Sequence, residues 1–209
     1  MTESLTTPRV MTLAPVIPVL TIARIEDAVP LARALTAGGL RALEVTLRTA
    51  CAIAAIEAIA AAVPEAVVGA GTVLNPSDWE RAVKAGARFI VSPGLTEKLI
   101  AVASDSPIAF LPGVATATEL MRGLDAGLTH FKFFPAETTG GAAALKALGG
   151  PFADIRFCPT GGISAKSAPD YLALPNVLCV GGGWVAPNEA IEAGDWGRIT
   201  ELSKAASAL

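Results

Sequence analysis

Short runs rich in β-branched and aromatic residues recur along the chain, separated by longer stretches rich in Ala and Leu. The runs are Val16 to Leu20, Ala42 to Thr46, Val67 to Ala70, Phe89 to Val91, Ala109 to Leu111, His130 to Phe133, Ile155 to Cys158 and Val177 to Val180. Each has the length and composition of a strand. Between them, Ile25 to Thr36, Ala50 to Ala62, Pro76 to Ala85, Thr96 to Ala103, Ala117 to Ala126, Gly141 to Leu148 and Ser164 to Leu172 read as helices. Most of the strands are nearly continuously apolar rather than alternating, as strands covered on both faces are. Eight such strands with helical crossovers predict an α/β chain, a (β/α)8 TIM barrel, with residues 1–209 as a single domain. An open doubly wound sheet is the rival; the strand count and the lack of a Gly-x-Gly-x-x-Gly turn after the first strand weigh against it. Within an N-terminal segment of about residues 1–14, Ser4 to Ala14 is expected to form a short helix that closes the barrel bottom.

Glycines orient the barrel. Ala37-Gly38-Gly39, Ala85-Gly86-Ala87 and Ala126-Gly127-Leu128 each stand between a helix and the next strand, where a left-handed glycine ends a helix. These turns mark the bottom. The opposite strand ends then carry the functional face, which gathers Glu44 to Arg48, Gly71-Thr72, Ser92-Pro93, Pro112-Gly113, Lys132 to Pro135, Thr160 to Gly162 and Gly181 to Gly183. Side chains alternate along a strand, so Leu43 and Val45 facing the helices turn Glu44 inward, and Phe131 and Phe133 do the same for Lys132. Two charged side chains thus converge in the barrel mouth.

A lysine inside the aromatic run Phe131-Lys132-Phe133-Phe134 is costly to bury unless it has a task. Desolvation disfavours the charged form of an amine, and a neutral amine is a nucleophile toward ketones. With Glu44 beside it, the pair makes a nucleophile and a base; the plain alternative is a buried structural ion pair. Arg48, on the loop after its strand, can clamp a substrate carboxylate or stand solvated. The glycine runs Gly161-Gly162 and Gly181-Gly182-Gly183 follow the last two strands, the common phosphate position of this architecture, although tight turns need glycine as well. His130 is the sole histidine, so no site of two or three histidine ligands can be built in one chain; we read it as a strand residue below the chemistry.

Composition changes the picture in one respect. The chain is 52% hydrophobic and only 17% charged, with mean hydropathy +0.54. Even so, its longest apolar stretches, such as Cys51 to Val63, contain Glu57 and fall short of a membrane span, so the surplus is expected in a two-face-covered sheet and a subunit interface. Net charge −3 gives no reason to expect nucleic acid or an anionic membrane as partner. Met1 to Arg9 lacks the layout of a signal peptide, and Cys51, Cys158 and Cys179 form no C-x-x-C. Both point to the cytoplasm and to structural thiols.

Six motifs in order carry a resemblance: Glu44-Val-Thr-Leu-Arg48, Gly69-Ala-Gly-Thr-Val-Leu-Asn75, Ser92-Pro-Gly-Leu-Thr96, Phe131-Lys-Phe-Phe-Pro-Ala-Glu137, Arg156-Phe-Cys-Pro-Thr-Gly-Gly-Ile163 and Cys179-Val-Gly-Gly. From about Pro15 onward the chain resembles the 2-keto-3-deoxy-6-phosphogluconate (KDPG) aldolases, often bifunctional as 4-hydroxy-2-oxoglutarate (KHG) aldolases. The resemblance implies a class I aldolase of the Entner–Doudoroff pathway, a homotrimer with no metal or organic cofactor, acting on a 2-keto-3-deoxy sugar acid phosphate and on pyruvate. It implies Lys132 as the Schiff-base lysine, Glu44 as acid/base, and Arg48 and Thr72 on the pyruvate carboxylate. Pro93 and Phe134 would line the pyruvate pocket, Thr160 would touch the pyruvyl group, and Gly161 and Gly162 would offer N–H groups to phosphate. The family usually reads Gly-Gly-Ser-Trp after the eighth strand, with the serine on phosphate; here Gly182-Gly183-Trp184 has no hydroxyl.

Three alternatives follow. An aldolase preferring unphosphorylated KHG is favoured by Gly183. A non-aldolase phosphosugar-binding or isomerase barrel would use Lys132 only to neutralise phosphate. A metal-dependent pyruvate aldolase would use Glu44 as a ligand.

Overall fold

The computed structural model describes residues 5–209, so Ser4, where the expected N-terminal helix begins, lies outside the described residues. The strands are β1 (Val16–Leu20), β2 (Ala42–Thr46), β3 (Val67–Gly71), β4 (Phe89–Val91), β5 (Ala109–Leu111), β6 (Gly113–Val114), β7 (His130–Phe133), β8 (Arg156–Pro159) and β9 (Val180–Gly182). The helices are α1 (Thr7–Met11), α2 (Ala28–Ala37), α3 (Ala52–Ala62), α4 (Pro76–Lys84), α5 (Glu97–Ser104), α6 (Ala117–Asp125), α7 (Gly141–Leu148), α8 (Ala168–Leu172), α9 (Asn188–Glu192) and α10 (Trp196–Ser207).

All pairings are parallel, in the orders β5-β4-β3-β2-β1-β9 and β6-β7-β8. The two sheets are one ring. β5 and β6 are a single strand path divided at Pro112, which has no N–H for the ladder but still accepts from Lys132 N–H at 2.8 Å. On the other side, Thr160 bridges Gly181 and closes β8 onto β9. The result is the eight-position α/β barrel that the strand count predicts.

Leu43, Val45, Phe131 and Phe133 belong to the shell between strands and helices, as strand parity requires. Inside the barrel, Ala42, Val67, Phe89 and Ala109, at the starts of their strands, pack with Val10 and Met11 of α1. This short helix is the bottom plug. Thr7 fixes it by donating to Phe110 O at 3.0 Å and accepting from Phe110 N–H at 3.1 Å. The inner face of β3 is nearly bare: Phe89 fills the space where a Gly69 Cβ would lie, and Glu44 the space beside Gly71.

Several boundaries differ from the apolar pattern, each for a local reason. The last strand is Val180–Gly182 and Val177 makes only an isolated bridge, because Val180, Gly181 and Gly182 pair with Val16, Ile17 and Pro18. Tertiary pairing overrides the poor strand propensity of glycine. The helix expected from Ser164 starts at Ala168, since Ser164 and Ser167 exchange side-chain to backbone hydrogen bonds and Pro169 suits a first turn. α9 and α10 are unannounced by any long apolar stripe, yet α10 packs along α2. The glycines expected to end helices do so with left-handed φ at Gly39, Gly86 and Gly127. Among the described residues no helix is long and apolar enough to cross a membrane.

Candidate active site

Lys132 lies on β7 and Glu44 on β2, and their side chains meet inside the barrel with Nζ donating to Oε1 at 3.0 Å. Side-chain exposure is 6% for Lys132 and 3% for Glu44, so the pair is screened from bulk water. Room for the carboxylate comes from Gly71, where any Cβ would overlap Glu44 Oε1. Among the described residues the second oxygen, Oε2, has no hydrogen-bond partner. It is available to a substrate proton. The Phe134 ring centroid is 5.2 Å from Lys132 Nζ, so one face of the amine meets an aromatic wall.

Around this pair stand the other residues expected at the site. Arg48 is exposed at the mouth and its Nε donates to Thr72 Oγ1 at 3.1 Å. Thr72 adopts φ 59°, a left-handed conformation that costs a β-branched residue energy and that its surroundings must hold. Pro93 reaches the site through its backbone: its carbonyl lies against Gly113, the ladder partner of Lys132. Ser92, fully buried, fixes that turn by donating to Gly94 O at 2.6 Å. Thr160 is buried and points at Gly181, where a Cβ would overlap its Oγ1. Gly161 and Gly162 turn with φ 106° and 81°, and a Gly161 Cβ would lie 3.3 Å from the Phe134 ring.

Two expected residues are placed differently from the rest. Gly182 is buried, with the Trp184 indole over its α-carbon. Gly183 is exposed, and a Cβ there would meet only Val19 O at 3.5 Å. His130 sits at the start of β7, half-buried, its Nδ1 2.9 Å from Thr129 Oγ1; burial and then Arg156 depress its pKa. It lines a groove of about 380 Å³ with Thr7, Ile108 and Phe110, at the end of the strands away from Lys132. The thiols are free, Cys158 and Cys179 being buried. A hydrogen bond with Cys158, together with burial, pushes the Cys179 thiol well above its usual range, which keeps it protonated inside the apolar lower lumen. Among the described residues no group of three or more His, Cys, Asp or Glu side chains could hold a metal ion.

A family model described as "Aldolase: KDPG and KHG aldolase" matches residues 8–202. The chain belongs to this aldolase family. Its Escherichia coli K12 relative, a KHG/KDPG aldolase, is 57% identical over 197 residues, which are 94% of this chain and 92% of the relative. Among solved structures, the KDPG aldolase of Legionella pneumophila superposes with TM-score 0.95 at 51% identity, covering 97% of this chain and 98% of that one. There pyruvate was captured at low pH as a covalent carbinolamine intermediate. The Zymomonas mobilis ZM4 enzyme, solved with 3-phosphoglycerate, gives TM-score 0.90 at 55% identity, covering 99% and 97%. A non-aldolase barrel falls away with this family membership.

Strand parity alone is enough to bring Glu44 and Lys132 together. It missed Tyr171, whose hydroxyl reaches Glu137 at 2.9 Å beside the Gly161-Gly162 turn. A tyrosine in a short amphipathic helix is usually core, and only its contact distinguishes it.

Proposed function

We propose that the chain is a Schiff-base aldolase that cleaves KDPG to pyruvate and glyceraldehyde 3-phosphate. The buried 3.0 Å contact between Lys132 Nζ and Glu44 Oε1 carries the proposal. Through it Lys132 can pass a proton to Glu44, and the freed amine attacks the substrate C2 ketone to give a carbinolamine. Glu44 returns that proton to the departing hydroxyl, so that water leaves, an iminium forms and Glu44 is again a carboxylate; the iminium accepts the electron pair as the C3–C4 bond breaks. Glu44, directly or through a water, takes the C4-hydroxyl proton, and the aldehyde departs. The same carboxyl group then protonates C3 of the enamine, and hydrolysis of the imine releases pyruvate and restores the amine. Arg48 and Thr72 hold the pyruvate carboxylate, Pro93, Phe134 and Thr160 enclose the pyruvyl group, and N–H groups of Gly161, Gly162 and Gly183 receive the phosphate, with Gly182 shaping the turn below it. No cofactor takes part in these steps. The metal-dependent alternative would be inactivated by a chelator; activity unchanged by EDTA is expected.

Pyruvate with borohydride tests the core of the proposal. The expected product is one reduced pyruvyl adduct per chain, on Lys132; an adduct on another lysine would sink the assignment. The second reading, a preference for unphosphorylated KHG, is favoured by the empty space at Gly183, and kcat/KM for the two substrates decides between them.

We further propose a cytoplasmic homotrimer serving the Entner–Doudoroff pathway. Met121 (58% exposed) and Leu124 (40%) lie one turn apart on α6, and Leu74 is 57% exposed, apolar surface of the kind a subunit interface covers. Light scattering that returns the mass of a 21.2 kDa monomer would refute the trimer.

A further inference from the structure

The segment after β7 is stitched to the turn after β8. Ala136 N–H donates to Thr160 O at 2.8 Å and Glu137 N–H to Gly161 O at 3.1 Å. The side chain of Glu137 continues the seam: a Cβ on Gly162 would come 2.6 Å from Glu137 Cγ, so the methylene stem lies against the Gly162 α-carbon. Glu137 is exposed, and among the described residues no Lys, Arg or His forms an ion pair with it. Instead its Oε1 accepts from the hydroxyl of Tyr171, whose ring is buried on α8 at 2% exposure. Burial and the Glu137 contact push the Tyr171 phenol up to about 12, so the donor proton is retained at any ordinary working pH.

A carboxylate on the shoulder of a turn that receives a dianionic phosphate is a like charge, and its direction matters. We infer that Tyr171 is a positioning residue for the anionic end of the substrate: its hydroxyl ties the Glu137 carboxylate to α8 and leaves the Gly161-Gly162 N–H groups to the phosphate. The inference rests on the proposed reading of that turn as the phosphate seat.

Tyr171→Phe removes one oxygen. The expected result is a KM for KDPG raised about threefold to tenfold, the size of one net hydrogen bond, with kcat and borohydride trapping at Lys132 retained. KHG ends in a carboxylate attached to C4 and falls short of the turn, so its kcat/KM should move by less than about twofold. A freed charge, unlike a loosened turn, is cured by neutralising it: adding Glu137→Gln to Tyr171→Phe should restore the KM, and added salt should narrow the gap. Glu137→Gln alone keeps an acceptor for Tyr171 and should give a KM no higher than that of the unaltered enzyme. An unchanged KM in Tyr171→Phe, an equal loss on both substrates, a failed rescue or a raised KM in Glu137→Gln overturns the inference. If the unaltered enzyme shows no preference for the phosphorylated substrate, the phosphate seat itself is wrong and the inference goes with it. A preference left undiminished in Tyr171→Phe removes only the role of Tyr171.

Discussion

The two ends of this barrel use the same strands and treat polar groups in opposite ways. At the N-terminal end α1 seals the lumen with Val10 and Met11 against Ala42, Val67, Phe89 and Ala109, all apolar. Toward the C-terminal end the same inward faces carry Glu44 from β2, Lys132 from β7 and the Thr160 hydroxyl after β8. The dry bottom holds the ring in shape, so the polar top can keep a buried ion pair whose desolvation costs stability. Stability and chemistry are thus stacked along one axis, and changes at either end should read out separately.

The largest effects belong to the top. Lys132→Ala should reduce KDPG cleavage to background, measured as pyruvate release. It also strands Glu44 without its partner, at a cost of about 3–5 kcal/mol, so thermal unfolding should accompany the assay. Glu44→Gln keeps an oxygen for Lys132 and should still be trapped by borohydride while kcat falls about 10²–10⁴-fold. Full turnover in that variant would remove Glu44 from acid/base chemistry. At the bottom, Met11→Ala should cost about 2–5 kcal/mol in denaturant unfolding and leave kcat/KM unchanged where the protein is folded. A lost activity there with intact stability would break the division between the ends.

The smallest expected effect sharpens the top further. Gly183 is free of left-handed φ and has open space for a side chain. Gly183→Ser should raise kcat/KM for KDPG by about tenfold through one hydrogen bond to a charged group, with KHG nearly unchanged. Equal effects on both substrates would show that position 183 does not read phosphate.

The meeting of Glu44 and Lys132 was legible because it rides on a period of two: given a strand, the apolar neighbours of each dictate which way it points. The barrel was legible because its strands are apolar on both faces and alternate with helices. What stayed hidden depends on contacts between distant segments. β9 runs through glycines because β1 supplies partners and Thr160 needs the space, and neither fact is local to residues 180–182. α10 is held by α2 more than by its own pattern. Glu137 and Tyr171 stand 34 positions apart, and no spacing rule joins them.

The bare inner face of β3 sets limits on how this chain can drift over generations. At Gly69 the intruder is Phe89, an apolar ring that a smaller residue can replace, so a paired exchange such as Gly69→Ala with Phe89→Leu has a route that keeps the lumen filled. At Gly71 the intruder is the Glu44 carboxylate, and aspartate, the one smaller residue that keeps the acid, is a methylene shorter and would draw it back from the 3.0 Å contact with Lys132 Nζ. One glycine is therefore negotiable and the other is tied to the Glu44–Lys132 contact. Thermal unfolding of the paired variant, set beside the activity of Gly71→Ala, would measure the difference: a folded, active Gly71→Ala enzyme would show that position 71 has an escape after all.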